Sequence, residues 1–246
     1  MGMMLRVIGS GSSGNAYVLR ANTGEMLAIE AGVKSDLIEQ GIDFRPSEVA
    51  AVLVSHQHGD HACSLSYFIK NGIPTYASCE TLAARNIVSP FAHIAEHGKR
   101  ISIGNFRVMP LDVKHDAKCF AYLIQHAEMG NLLFATDCTS VPYRFAHLEH
   151  TMIEADYDRV TLSQAVDDGT VDAARVRRIV DAHMSLADAV DNVSELVEDI
   201  STLRDITLIH LSNDSADPEK FKQTVEQQIG RPCYIARKGL EIDFTL

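Results

Sequence analysis

Three histidines and an aspartate crowd into six residues, His56-Gln57-His58-Gly59-Asp60-His61. Side chains of an extended segment alternate, so His56 and His58 project to one side and can reach a single cation. Asp60 and His61 lie where the chain turns toward a helix and can face a second cation close by. Imidazole combined with carboxylate suits Zn²⁺, Mn²⁺ or Fe²⁺ better than the all-oxygen cages of Ca²⁺ or Mg²⁺.

The surrounding pattern places this motif at a strand-to-helix turn. An apolar run at 51–54 precedes it, and Leu65, Phe68 and Ile69 follow at helical spacing, with Asn71-Gly72 as a stop. Further β-rich runs fall at 5–8, 16–19, Met26–Ile29, 106–109, 120–124, 131–135, 207–211 and 233–236. Several are apolar throughout, as in strands covered on both faces. Val190, Val193, Val197, Ile200 and Leu203 keep one helical face over four turns, after a capping-box start at Ser185 and Asp188. Asp217-Pro218 gives an N-cap and an N1 proline ahead of Phe221, Val225 and Ile229. Strands and helices thus alternate in an α/β or mixed α+β class with covered sheets. No linker or repeat divides the chain, which predicts one continuous domain over 1–246.

With 246 residues, 46% of them hydrophobic, the chain can bury a full core without metal or disulfide staples, so a metal here is expected to be functional. The formal charge of −11 repels polyanions and acidic membrane surfaces, and Arg175, Arg177 and Arg178 form the best basic cluster. No apolar stretch is long enough to span a membrane and the start MGMMLRVIGS lacks a leader pattern, which predicts a soluble cytoplasmic protein. Five cysteines without a CxxC pair read as buried thiols in a reducing compartment.

The order His-x-His-x-Asp-His resembles the signature of the metallo-β-lactamase-fold hydrolases, and further motifs follow in that family's order. His115 in Val113-Lys114-His115-Asp116 looks like the family's third histidine. Asp137 in Phe134-Ala135-Thr136-Asp137 looks like the carboxylate that bridges two ions through one oxygen, and His210 in Leu208-Ile209-His210-Leu211-Ser212 looks like the last histidine. Glu154-Ala155-Asp156-Tyr157 and His183-Met184-Ser185 resemble the paired motifs of ribonuclease Z-like phosphodiesterases. The opening Gly9-Ser10-Gly11-Ser12-Ser13-Gly14-Asn15 is similar to that of the YycJ (WalJ)-type members.

The resemblance implies a four-layer αββα sandwich and two divalent ions, zinc or manganese, with iron also accepted. His56, His58 and His115 would hold one ion, Asp60, His61 and His210 the other, and Asp137 both. It gives Asp60 a catalytic role as well, makes His183, oriented by Glu154, the proton donor to the leaving oxygen, and puts substrate contacts at Ser12, Ser13, Asn15, Ser185 and Ser212. The implied reaction is hydrolysis of a nucleotide phosphodiester by hydroxide held between the ions, most simply by a YycJ-like exonuclease on nucleic acid. The alternative is a cyclic mononucleotide phosphodiesterase of the anti-Pycsar kind, and a thiolester or β-lactam hydrolase comes third. The family often dimerises, so a homodimer is compatible, although no isolated apolar stripe demands one. Two departures stand out: Glu30-Ala31-Gly32 replaces the usual Asp-Ala-Gly, and Ser212-Asn213-Asp214 replaces an Asn-rich stretch. Cys138 reads as a structural thiol, and His93, His97, His126, His147 and His150 as surface or capping residues.

Overall fold

The structure, a computed structural model, describes residues 2–169 and 171–246. Strands β1 (Met4–Gly9), β2 (Ala16–Arg20), β3 (Met26–Ile29), β4 (Val49–Leu53), β5 (Thr75–Ala77) and β6 (Ala92–Ile94) lie in that order in one sheet. Strands β7 (Ile101–Ile103), β8 (Phe106–Val113), β9 (Cys119–His126), β10 (Gly130–Ala135), β11 (His150–Glu154), β12 (Asp205–Ile209) and β13 (Cys233–Ile235) make the second. β14 (Glu241–Asp243) returns to the first sheet beside β1. Each sheet has an antiparallel half and a parallel half, β3 to β6 in one and β10 to β13 in the other.

Strand periodicity explains why these runs are apolar throughout. Leu27 and Ile29 point into the core between the sheets, while Met26 and Ala28 point outward under the helices α1 (Ser35–Gly41), α2 (Gly59–Ala62), α3 (Leu65–Lys70) and α4 (Cys79–Ala84). On the second sheet Leu132 and Phe134 face inward and Leu133 and Ala135 face the helical layer. That layer follows as α5 (Arg159–Asp167), α6 (Ala173–Ala182), α7 (Leu186–Leu196) and α8 (Pro218–Ile229). Three apolar layers therefore separate four structural layers, giving the expected αββα sandwich. The sheets are stitched at one edge, where Phe120 N donates to Ser55 O at 3.1 Å and the buried Tyr122 hydroxyl donates to Val54 O at 2.7 Å.

Several expectations need correction. The stripe from Val190 to Leu203 is not one helix: α7 ends at Leu196, where Phe145 N donates to Leu196 O and captures the chain in an extended bridge. Val197 and Leu203 stay buried because the chain continues over the same core, so periodicity reported burial rather than an unbroken backbone helix. Cys63 and Cys79 are exposed, whereas Cys119, Cys138 and Cys233 are buried. His126 and His150 are buried rather than on the surface, and His150 Nδ1 lies 2.8 Å from Asp205 Oδ2. No described helix is long and apolar enough to cross a membrane.

Candidate metal centre

The parallel halves aim the carboxyl ends of their strands at one edge of the sandwich, the usual place for a site in open α/β sheets. β3 ends just before Glu30, β4 runs toward Ser55 and the histidine motif, β10 ends before Thr136-Asp137, β11 ends in Glu154, and β12 ends just before His210. His115 arrives from the antiparallel half, beyond β8, and His183 caps α6. Glu30, Asp137 and His210 adopt left-handed backbone angles, φ 66°, 48° and 55°, which swing each side chain out of its strand's alternation. Such angles cost about 1–2 kcal/mol for a residue with a Cβ, so surrounding contacts must hold them.

Two clusters result. In the first, His56, His58, His115 and Asp137 bring ligand atoms within 4.8 Å of one another. His58 Nδ1 lies 3.0 Å from His56 Nε2 and 3.2 Å from His115 Nε2, and His56 Nε2 lies 3.8 Å from Asp137 Oδ2. In the second, Asp60, His61, Asp137 and His210 converge. His61 Nε2 is 3.4 Å from Asp60 Oδ2 and 3.2 Å from Asp137 Oδ1, and His210 Nε2 is 3.4 Å and 3.6 Å from the same oxygens. Asp137 turns Oδ2 toward His56 and Oδ1 toward His61 and His210. Donors at about 2.0–2.2 Å around a tetrahedral ion lie roughly 3.3–3.6 Å apart, so both sets fit divalent cations.

Charge differs between the clusters. Burial, reinforced by the neighbouring His61, holds His56 well below its ordinary value. Burial also opposes charge on His61 and His210, but Asp137 and the carboxylates around it outweigh that and raise both. Asp137 stays well below the carboxylate range despite its burial, because His210 and His61 face it.

Behind the second cluster stands a backbone buttress. Gly32 packs so closely on Asp60 that a Cβ would lie 1.6 Å from the Asp60 carbonyl oxygen. Asn15 N donates to that oxygen at 2.8 Å, Gly32 N donates to Asn15 O, and Ala31 N donates to His61 O, each at 2.8 Å. Gly14, at φ 139°, is held against Gly32 by the same contacts. The glycine-rich opening thus fixes Asp60 and His61.

The profile described as "Beta-lactamase superfamily domain" matches residues 36–211, more than half of the chain and the stretch that carries these ligand sets. The chain belongs to the β-lactamase superfamily. It is 25% identical over 263 residues to the exodeoxyribonuclease WalJ of Streptococcus pneumoniae, covering 100% of this chain and 94% of that protein. Among solved structures, the metallo-β-lactamase fold protein YhfI of Bacillus subtilis superposes with a TM-score of 0.76 at 15% identity, covering 99% of this chain and 100% of that one. The short form of human tRNase Z gives 0.67 at 14% identity, with 99% and 100% covered. At these identities the two structures speak for the fold.

Within this β-lactamase-superfamily site, a third group adjoins the second cluster. His183 Nδ1 donates to Glu154 Oε1 at 2.5 Å, and Glu154 Oε2 accepts from Cys138 N at 2.9 Å. Burial disfavours charge on His183, yet the buried Glu154 carboxylate wins and raises the imidazole to about 9. Its ring stacks on His210 at 5.3 Å and borders a cleft of about 470 Å³ over both clusters, which Ser12, Asp116, Arg175 and Arg178 also line. Glu30, where the superfamily pattern has the shorter acid, is fully buried and accepts from Ser55 N at 3.2 Å, with its other oxygen 3.5 Å from His61 Nδ1.

Of the residues expected to contact substrate, only Ser12 lines this cleft. Asn15 and Ser185 are buried and committed to the scaffold, Asn15 bridging Gly11 O and Asp60 O, and Ser185 capping α7 against Asp188. Ser13 is exposed outside the cleft, and Ser212 lines a neighbouring cavity. Sequence reasoning missed Asp156, whose Oδ1 lies 3.5 Å from His210 Nδ1, and Ser55, whose hydroxyl lies 2.9 Å from His56 Nδ1. Their adjacency to motif residues was the available signal.

Proposed function

We propose that the chain is a metal-dependent phosphodiesterase that hydrolyses nucleic acid, most simply as an exonuclease. The observation that carries this reading is the Glu154–His183 pair. An imidazole tied to a buried carboxylate, beside two cation-binding clusters, is placed to give a proton to a leaving oxygen. Such help matters for phosphodiesters of ribose or deoxyribose because an alkoxide leaves poorly, and it is worth roughly 10² to 10⁴ in rate. A thiolester or β-lactam hydrolase has less need of it.

His56, His58 and His115 would hold one divalent ion, Asp60, His61 and His210 the other, with Asp137 shared. Zinc and manganese both accept these donors. Such ions supply an acidified water and offset charge growing on the phosphoryl group. The chain's own residues do the rest. Glu154 fixes the His183 tautomer with Nδ1–H donated inward, leaving Nε2 to carry the mobile proton. Arg178, and Arg175 beside its partner Asp214, border the cleft on α6 and would attract flanking phosphates. The 25% identity to the Streptococcus pneumoniae exodeoxyribonuclease over its near-full length supports a polymer substrate, and the unpaired cysteines suit a reducing cytoplasm.

The −11 net charge favours a second reading, a cyclic mononucleotide substrate that needs few cationic contacts. The deciding experiment compares His183→Ala with the wild type on an oligonucleotide, a cyclic mononucleotide and bis(p-nitrophenyl) phosphate. Loss of about 10² to 10⁴ on the nucleotide substrate is expected, with metal content kept and a much smaller loss on the nitrophenyl ester, whose leaving group needs no proton. Full activity of the variant on every substrate would remove His183 from the chemistry.

A further inference from the structure

The cleft over the metal clusters has a neighbour. A second cavity, also about 470 Å³, is lined by Ser10, Ser212, Lys222, Tyr234, Arg237 and Lys238. The two meet at one seam of backbone. Ser12 lines the metal cleft and Ser10, two residues earlier, lines the second cavity. Across the seam His210 N donates to Ser10 Oγ at 3.0 Å, and a Cβ on Gly11 would lie 3.2 Å from Leu211 O. The two cavities are therefore neighbours, separated by the backbone at Ser10–Ser12 and His210–Leu211.

Its charge runs against that of the molecule. Lys222, Arg237 and Lys238 form no ion pair among the described residues, and Glu219 is the one carboxylate among the residues lining the cavity. Several cations elsewhere are paired: Arg6 and Arg20 meet Asp43, Glu48 and Glu241, Lys118 meets Asp112, and Lys220 meets Asp158. In a chain of net charge −11, three cations against one carboxylate around a single cavity give it a local potential that favours an anion. Tyr234, on the edge strand β13, is 37% exposed beside them. Cations that track a phosphate backbone, with an aromatic face on which a base can stack, are what single-stranded nucleic acid needs. A duplex keeps its bases stacked on one another and offers Tyr234 none.

We infer that this cavity holds the strand adjoining the scissile nucleotide, with Lys222, Arg237 and Lys238 on successive phosphates and Tyr234 under a base. The inference rests on the phosphodiesterase reading of the neighbouring site and makes its substrate a single-stranded polynucleotide.

The test uses the full-length, metal-loaded protein with labelled oligothymidylate and oligouridylate about 16 nucleotides long, and bis(p-nitrophenyl) phosphate as a substrate too small to reach the cavity. The triple variant K222A/R237A/K238A should raise KM for the oligomer at least tenfold. Removing three phosphate contacts should also flatten the log-affinity salt slope by about 2. The nitrophenyl ester should be hydrolysed at the wild-type rate. Tyr234→Ala should raise oligomer KM about tenfold, and Tyr234→Phe should restore it, since stacking needs the ring and not the hydroxyl. The DNA and RNA arms show which sugar the cavity prefers.

Unchanged oligomer KM and salt slope in the triple variant would overturn the inference. So would parallel loss on the nitrophenyl ester, which would make these residues part of the metal site's framework, or displacement of the oligomer by polyglutamate at equal charge. Should the wild type cleave no phosphodiester, the functional reading fails by itself. Oligomer binding by fluorescence anisotropy would then still judge the cavity, and a triple variant that binds like the wild type would sink it.

Discussion

The two clusters share Asp137 yet differ in construction. The first is three imidazoles and one carboxylate, and the side chain of His58 is 38% exposed, with its Nε2 3.4 Å from the exposed Asp116. The second has two carboxylates among its own members and a further layer behind them, Glu30 near His61 and Asp156 and Glu154 near His210, each at 3.5 Å. Asp137 and His210 follow strand ends, Asp60 and His61 lie on α2, and Gly32 with Asn15 clamps the Asp60–His61 backbone. The difference teaches that the site grades its charge. The more anionic, better supported cluster should retain its cation, and the open imidazole cluster should exchange.

The largest effect tests what the clusters share. Asp137→Ala should empty both and cut phosphodiesterase activity by on the order of 10³ or more, about 4 kcal/mol of transition-state stabilisation. Metal content by elemental analysis reads this directly, and a variant that kept a full complement would dissolve the idea of a common carboxylate. Next comes the asymmetry itself. His58→Ala should halve the bound metal and leave a remainder that resists chelator, whereas His210→Ala should leave a remainder that chelator strips easily. Equal chelator sensitivity of the two variants would break the comparison. The smallest effect lies at Glu30. Glu30→Asp shortens the reach to Ser55 N and His61, so affinity at the second cluster should fall by roughly tenfold, with the first cluster unmoved. A competition titration with a chromogenic chelator measures it.

The hydrolase sandwich was readable because period-two burial on both faces leaves uninterrupted apolar runs, as in Met26–Ile29 and residues 131–135. The strands β5, β6, β7 and β14 were not, since three residues carry too little periodicity. β11 escaped because it opens on His150 and closes on Glu154, polar types whose burial depends on partners distant in the chain. At the site, His56 to His61 were legible as a contiguous motif, and Asp137 and His210 by their order after it. Asn15 shows the limit. The resemblance of the glycine-rich opening implied a substrate contact there, but the carbonyl that claims it belongs to Asp60, 45 residues away. α5 and α6 were missed for a similar reason: α5 buries only Leu162, so little apolar pattern announces it.

The left-handed turns at Glu30, Asp137 and His210 carry a lesson for anyone wishing to transplant this chemistry. Copying the side chains of the two clusters onto ordinary strand ends would lose the reversed backbone that aims Asp137 and His210. A recipient scaffold would have to import the three reversed hinges and the glycine shelf under Asp60. Catalytic ancestry in such a fold is therefore written as much in backbone handedness as in the identities of the histidines.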